Sequence, residues 1–132
     1  MEAILFKKGG YARIYLLHDD SGKSEVKDFF EKGLRNQRAA GYVRGFVHLI
    51  EVIAAEGTMR FTTQQYESWD IDGTRFGELK REQHRLSIFS YENGRRFVLA
   101  SHFEKKGWKE NKEYRRAISL KDKFDANPTW RE

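Results

Sequence analysis

Apolar residues recur along this chain in two rhythms. Val26, Phe29, Phe30 and Leu34 fall at i, i+3, i+4 and i+8, the spacing of one helix face. Ser24 stands where an N-cap belongs and Glu25 suits the first turn. Gly33 and Asn36 predict a break. A second helix is predicted over Gln37 to Glu56, where Val43, Phe46, Val47, Ile50 and Ala54 keep the helical period and Gly57 marks the end. Short connections of this kind join antiparallel helices, so the pair reads as a helical hairpin. A third, basic helix is predicted over Asn111 to Phe124, with Tyr114, Ala117, Ile118 and Phe124 on one stripe and Pro128 closing the tail.

The other rhythm is that of strands. Met1 to Phe6 is a short apolar start that Lys7-Lys8-Gly9-Gly10 turns, and Tyr11 to Leu17 reads as a strand that Asp19-Asp20-Ser21-Gly22 ends. Arg60 to Thr63 fits a strand or a loop, and Trp69 to Gly73 reads as a turn. Strands follow over Arg75 to Lys80, Arg85 to Tyr91 and Arg95 to Phe103. Asn93-Gly94 between the last two is the strongest short hairpin signal, because both turn residues need positive φ. A two-residue turn there sets Glu92 against Arg95. It also places Leu86, Ile88 and Phe97, Leu99 on an apolar face, and Arg85 opposite His102 on the other. No repeat, low-complexity tract or linker interrupts the 132 residues, so a single α+β domain over 1–132 is expected.

Composition narrows the chemistry. Lys and Arg outnumber Asp and Glu by 25 to 20, and the sequence pI is near 9.5. That balance suits a polyanionic partner, nucleic acid or an acidic protein, and equally a basic protein of no such role. There is no cysteine, which removes disulfides, thiolate–metal sites and thiol nucleophiles. No stretch reaches the ~18 apolar residues of a membrane helix, and Ala3 to Phe6 is too short for a signal peptide; cytoplasm is the expected compartment.

The candidate site lies where strands run into charge. In the expected register Arg85 and His102 meet far from the turn, Lys80-Arg81 lead into one strand and Lys105-Lys106 leave the other. Such a set is either a solvated strand end or a site for phosphodiester chemistry. Lysine and arginine stabilise charge on the phosphate in the transition state, and a histidine or a lysine of depressed pKa takes a proton from the nucleophile. No metal or cofactor is needed. His18 and His48 have no second ligand at metal spacing, and Asp19-Asp20 and Asp70/Asp72 read as turn residues.

These residues also carry a resemblance. Glu78-Leu79-Lys80, His84-Arg85-Leu86 and Ser101-His102-Phe103-Glu104-Lys105-Lys106, in a strand–turn–strand–helix context behind "SEVKDFFEKG", resemble toxins of the RelE/HigB type, in particular the phage-derived HigB-like subfamily, over about residues 11 to 124. The resemblance implies a RelE-like α+β fold, with a helix hairpin on a small twisted antiparallel sheet and a C-terminal basic helix. It implies a metal-independent endoribonuclease that cleaves mRNA, usually on the ribosome, and a cognate antitoxin, often a helix-turn-helix protein. Carried onto this chain, the catalytic set is Arg85, His102, Lys105 and Lys80, with Lys106, Arg81, Arg96 and Trp108 toward RNA. The family's Thr-Pro after the lysine pair is replaced by Gly107-Trp108-Lys109-Glu110-Asn111, where Trp108 is a stacking platform for a base or a core anchor. The alternatives are a ParE-like toxin that poisons DNA gyrase without nuclease activity, and a degenerate member that only binds RNA or protein.

Overall fold

The computed structural model describes residues 1–106 and 111–132. Its elements in chain order are β1 (Glu2–Lys8), β2 (Arg13–His18), α1 (Glu25–Leu34), α2 (Gln37–Glu56), β3 (Tyr66–Ile71), β4 (Thr74–Arg81), β5 (His84–Tyr91), β6 (Arg96–Glu104), α3 (Asn111–Ala126) and β7 (Thr129–Arg131). The strands make one seven-stranded sheet in the order β3-β4-β5-β6-β2-β1-β7. β2 runs parallel to β6 and β1 parallel to β7; the other neighbours are antiparallel. The fold is therefore α+β, but its sheet is neither small nor wholly antiparallel.

Local chemistry explains the helix ends. The Ser24 side chain accepts the Lys27 N–H at 3.3 Å, and Asn36 accepts that of Arg38 at 3.0 Å, so each helix starts on a capped donor. Gly57 ends α2 at φ 83, a left-handed conformation that any β-carbon would strain. Two cores then form, one on each side of the sheet. Val26 and Phe30 of α1 and Phe46, Ile50 and Ile53 of α2 cover Ile14, Leu16, Leu79, Leu86 and Leu99. On the other side Ala117 and Phe124 of α3 join Tyr15, Phe76, Phe89 and Val98, with Trp130 of β7 against this cluster. Phe46 is fully buried, and its truncation to alanine is expected to cost about 3–5 kcal/mol.

Several expectations are corrected. Trp69, Asp70 and Ile71 belong to β3, and the turn into β4 is left to Asp72 and Gly73, both at positive φ. Trp69 is held in the strand by the rings of Phe76 and Tyr114, at 5.0 and 5.3 Å. Arg60 to Thr63 is loop. The apolar start is strand β1, and β7 in the tail pairs with it.

The β5–β6 hairpin decides the site. Asn93 (φ 55) and Gly94 (φ 82) take the positive angles their sequence demands. The pairing that this turn dictates holds from Tyr91–Arg96 to Ile88–Leu99 and then slips by one residue: Ser87 pairs with Ser101, Leu86 with His102 and Arg85 with Phe103. Ala100 is the extra residue of a β-bulge, and past it every side chain of β6 changes face relative to the expected register. The two serines cement the slipped register, their fully buried hydroxyls 2.6 Å apart. Arg85 and His102 are consequently not opposed.

Candidate functional site

Along β4, alternation sends Phe76, Glu78 and Lys80 to the α3 side of the sheet, and along β5 it sends Arg85, Ser87 and Phe89 there. Beyond α3 these strand ends line a cleft of about 700 Å³, bounded by Thr62, Gln65, Glu67, Lys80, Glu82 and Arg85. Lys80 is paired with Glu67 of the neighbouring strand, and its ammonium also donates to the Thr63 carbonyl at 2.9 Å. Arg85 Nε lies 3.4 Å from Glu78 Oε1, while its Nη1 donates to the carbonyls of Glu82 and His84.

Glu78 is 2% exposed, and burial pushes its carboxyl above the usual carboxylate range against the pull of Arg85, Lys80 and Lys105. Its Oε2 and the Arg85 Nε have no hydrogen-bond partner among the described residues. The contact between the two side chains is an ion pair whose remaining polar atoms are unfilled, an arrangement that water can complete. The Lys105 backbone N–H donates to the Gln83 carbonyl at 2.7 Å, which ties the end of β6 to the β4–β5 turn. Lys80 and Arg85 therefore stand together on the cleft, Lys80 against Glu67 and Arg85 against Glu78, and the charge of Lys105 is felt at Glu78.

His102 is on the opposite side of the sheet. Its ring stacks on Phe29 of α1 at 3.8 Å between centroids and 11° between planes, and its Nε2 is 3.0 Å from Nδ1 of His84. Tyr42 of α2 packs against His84 at 4.9 Å. Burial, then the neighbouring His84 and Arg116, hold His102 down at about 4, and burial also lowers His84. Both imidazoles are thus neutral at physiological pH. The shallow pocket above them carries Glu25, Asp28 and Glu104 with Lys32 at its edge, a mixed set of charges. His102 does not join Arg85 in one site; the bulge at Ala100 puts the sheet between them.

The other candidates disperse. Arg81 lines the cleft rim. Arg96 sits at the far end of β6, its guanidinium over Trp130 at 4.7 Å and near Glu92 at 3.5 Å, and takes no part in the cleft. Lys106 is exposed just past Lys105. Trp108 lies outside the described residues. His18 bonds the Gly22 carbonyl through Nδ1, and Asp19 caps its own turn through Ser21 and Lys23. His48 is exposed on α2. Among the described residues no three His, Asp or Glu side chains are grouped to hold a metal ion. None of their helices is long and apolar enough to cross a membrane.

Sequence reasoning missed the two acids. Glu78 was within reach, since a strand that holds Lys80 puts Glu78 on the same face two residues away. Glu67 was not, because its strand was hidden behind a turn-like Asp70-Ile71-Asp72-Gly73. Comparison with protein-family models and with curated proteins finds no match to this chain.

Proposed function

We propose that this chain is a RelE/HigB-type toxin, a metal-independent endoribonuclease that cleaves mRNA on the ribosome and is neutralised by an antitoxin of the helix-turn-helix class. The single observation that carries the reading is the placement of Lys80 and Arg85 on one cleft, each against a carboxylate. The packing of α1 and α2 over β4, β5 and β6 supports a RelE-like fold.

The chemistry follows from RNA itself. The ribose 2′-oxygen attacks the adjacent phosphorus, the 5′-oxygen leaves, and a 2′,3′-cyclic phosphate and a 5′-hydroxyl result. Glu67, at the cleft surface, accepts the 2′-hydroxyl proton, and the departing 5′-oxygen takes a proton from solvent water to become the 5′-hydroxyl. Lys80, drawn from Glu67 to the incoming phosphate, joins Arg85 in stabilising the charge that builds on the non-bridging oxygens. Glu78 stays behind Arg85 and holds the guanidinium in the cleft wall. Its low exposure rules out direct contact with the substrate in this arrangement.

The test is an in vitro translation reaction with a defined transcript. Shortened mRNA with 5′-hydroxyl ends is expected from the wild-type protein, and an intact transcript on translating ribosomes overturns the nuclease reading. A second reading, a non-cleaving RNA- or protein-binding member, draws on the same pairs: Lys80 and Arg85 are already neutralised by Glu67 and Glu78. It predicts intact mRNA. Loss of gyrase supercoiling in a parallel assay would instead mark the ParE-like mode. Co-expression with neighbouring reading frames tests the antitoxin, which should offer an acidic segment to this basic surface; relief of growth arrest by none of them removes that partner.

A further inference from the structure

Lys80 and Arg85 in the cleft are paired with acids, whereas a group of cations that begins at the cleft rim is not. Lys32 and Arg35 at the end of α1, Arg38 and Arg44 on α2, and Arg81 at the end of β4 are all exposed. None of the five forms an ion pair among the described residues. From Gln37 to Ile50, α2 carries no acid; the first is Glu51. Its first turn holds Arg38 and no carboxylate, so a cation sits at the positive end of the helix dipole, where it weakens the helix. A surface that only had to be soluble would mix its signs there.

Helix geometry groups these charges. Arg38 and Arg44 flank Gly41 on the outward face, and Gly45 follows one turn on. The Arg81 side chain lies directly on Gly45: a β-carbon built there would meet its Nε at 2.3 Å and its Cζ at 2.6 Å. The absence of a side chain at Gly45 is what lets a cation from the sheet join the helix stripe. Arg81 also lines the cleft, so the stripe and the cleft are continuous.

We infer that the α1–α2 corner and the outward face of α2 form a second RNA surface, one that grips the phosphate backbone irrespective of sequence and feeds the strand toward the cleft. The choice of RNA as the polyanion rests on the function proposed above; the existence of an anion-binding stripe does not. The sequence independence follows from the five cations, which are point charges and forks suited to phosphate oxygens.

The test measures binding, which does not depend on cleavage. Fluorescence anisotropy is followed with a labelled 20-nucleotide single-stranded RNA and a 20-base-pair RNA duplex over a range of salt. The variant is Arg38→Glu/Arg44→Glu, and the control Lys23→Glu/Lys123→Glu changes net charge equally on other surfaces. The helix variant is expected to lose about tenfold or more in affinity for both probes and to flatten the salt dependence by about two units of slope, while the control stays within about twofold of wild type.

Equal loss in variant and control means that only net charge matters and overturns the inference. So does wild-type affinity in the helix variant, or no RNA binding by the wild type while an acidic peptide is captured through Arg38 and Arg44. If the wild type cleaves nothing but binds RNA through this stripe, the nuclease reading falls and the inference stands.

Discussion

The β5–β6 hairpin ends in two dissimilar environments on the two sides of one sheet. On the α3 side, Arg85, Glu78, Lys80 and Glu67 make paired charges open to a cleft. On the α1–α2 side, a residue away along each strand, His84 and His102 are stacked under Phe29 and held neutral. Both sides are titratable, and only one suits a phosphate. What separates them is whether an opposite charge stands beside the buried group. Where α1 lies over the strand ends, an imidazole loses water and gives up its proton. Where Arg85 stands beside the still more buried Glu78, and Lys80 beside Glu67, opposite charges offset the loss of water.

The largest test of that contrast is Arg85→Ala. The residue is in a nearly dry pair with Glu78, so its loss leaves a buried carboxylate alone and should cost about 3–5 kcal/mol in urea unfolding. This revises what a solvent-facing Arg85 would imply, a change nearly silent for folding. Cleavage should fall by about two to three orders of magnitude. Adding Glu78→Gln is expected to restore most of the stability and none of the cleavage. Arg85→Lys should recover part of the cleavage, since an ammonium cannot replace a two-pronged guanidinium.

The histidine side responds to acid. The folded-state pKa of His102 is about 4 against a reference of 6.5, so the unfolded chain binds its proton first. Stability from this group is whole above pH 6.5 and drains away as pH falls toward 4, by at most about 3 kcal/mol. His84, lowered as well, adds in the same direction. Unfolding midpoints from pH 7.5 to 4 should fall, and His102→Phe should flatten the slope. An unchanged slope would show that the pair is hydrated in solution.

Phe29→Ala opens the cover over the histidines. Since Phe29 is only partly buried, about 2 kcal/mol is expected, less than for a core phenylalanine. The His102 resonance in an NMR titration should move back toward the ordinary histidine range. Smallest in stability is Glu67→Gln, where a half-exposed ion pair is worth about 0–1 kcal/mol. Its effect should appear instead in the pH–rate profile, as loss of the limb that reports the proton acceptor.

Much of the frame was legible because it is local. Ser24 and Asn36 start helices, Gly57 stops one, and Asn93-Gly94 turns a hairpin, each through atoms within a few residues. The register these imply is right as far as Ile88–Leu99, because a turn dictates pairing only until something else intervenes. The strand β3 escaped notice because Asp70, Asp72 and Gly73 have turn chemistry, and only pairing with β4 and the rings of Phe76 and Tyr114 draw Trp69 to Ile71 into the sheet.

The sequence by itself determined the helix boundaries, the positive-φ turn, the basic excess and the gathering of Lys80, Arg85 and Lys105 near one sheet end. The tertiary structure decided which face each side chain would take. The bulge at Ala100 goes with the Ser87 and Ser101 hydroxyls bonding across the strands at 2.6 Å and the His102 ring stacking on Phe29 at 3.8 Å, contacts between distant residues that no local rule encodes.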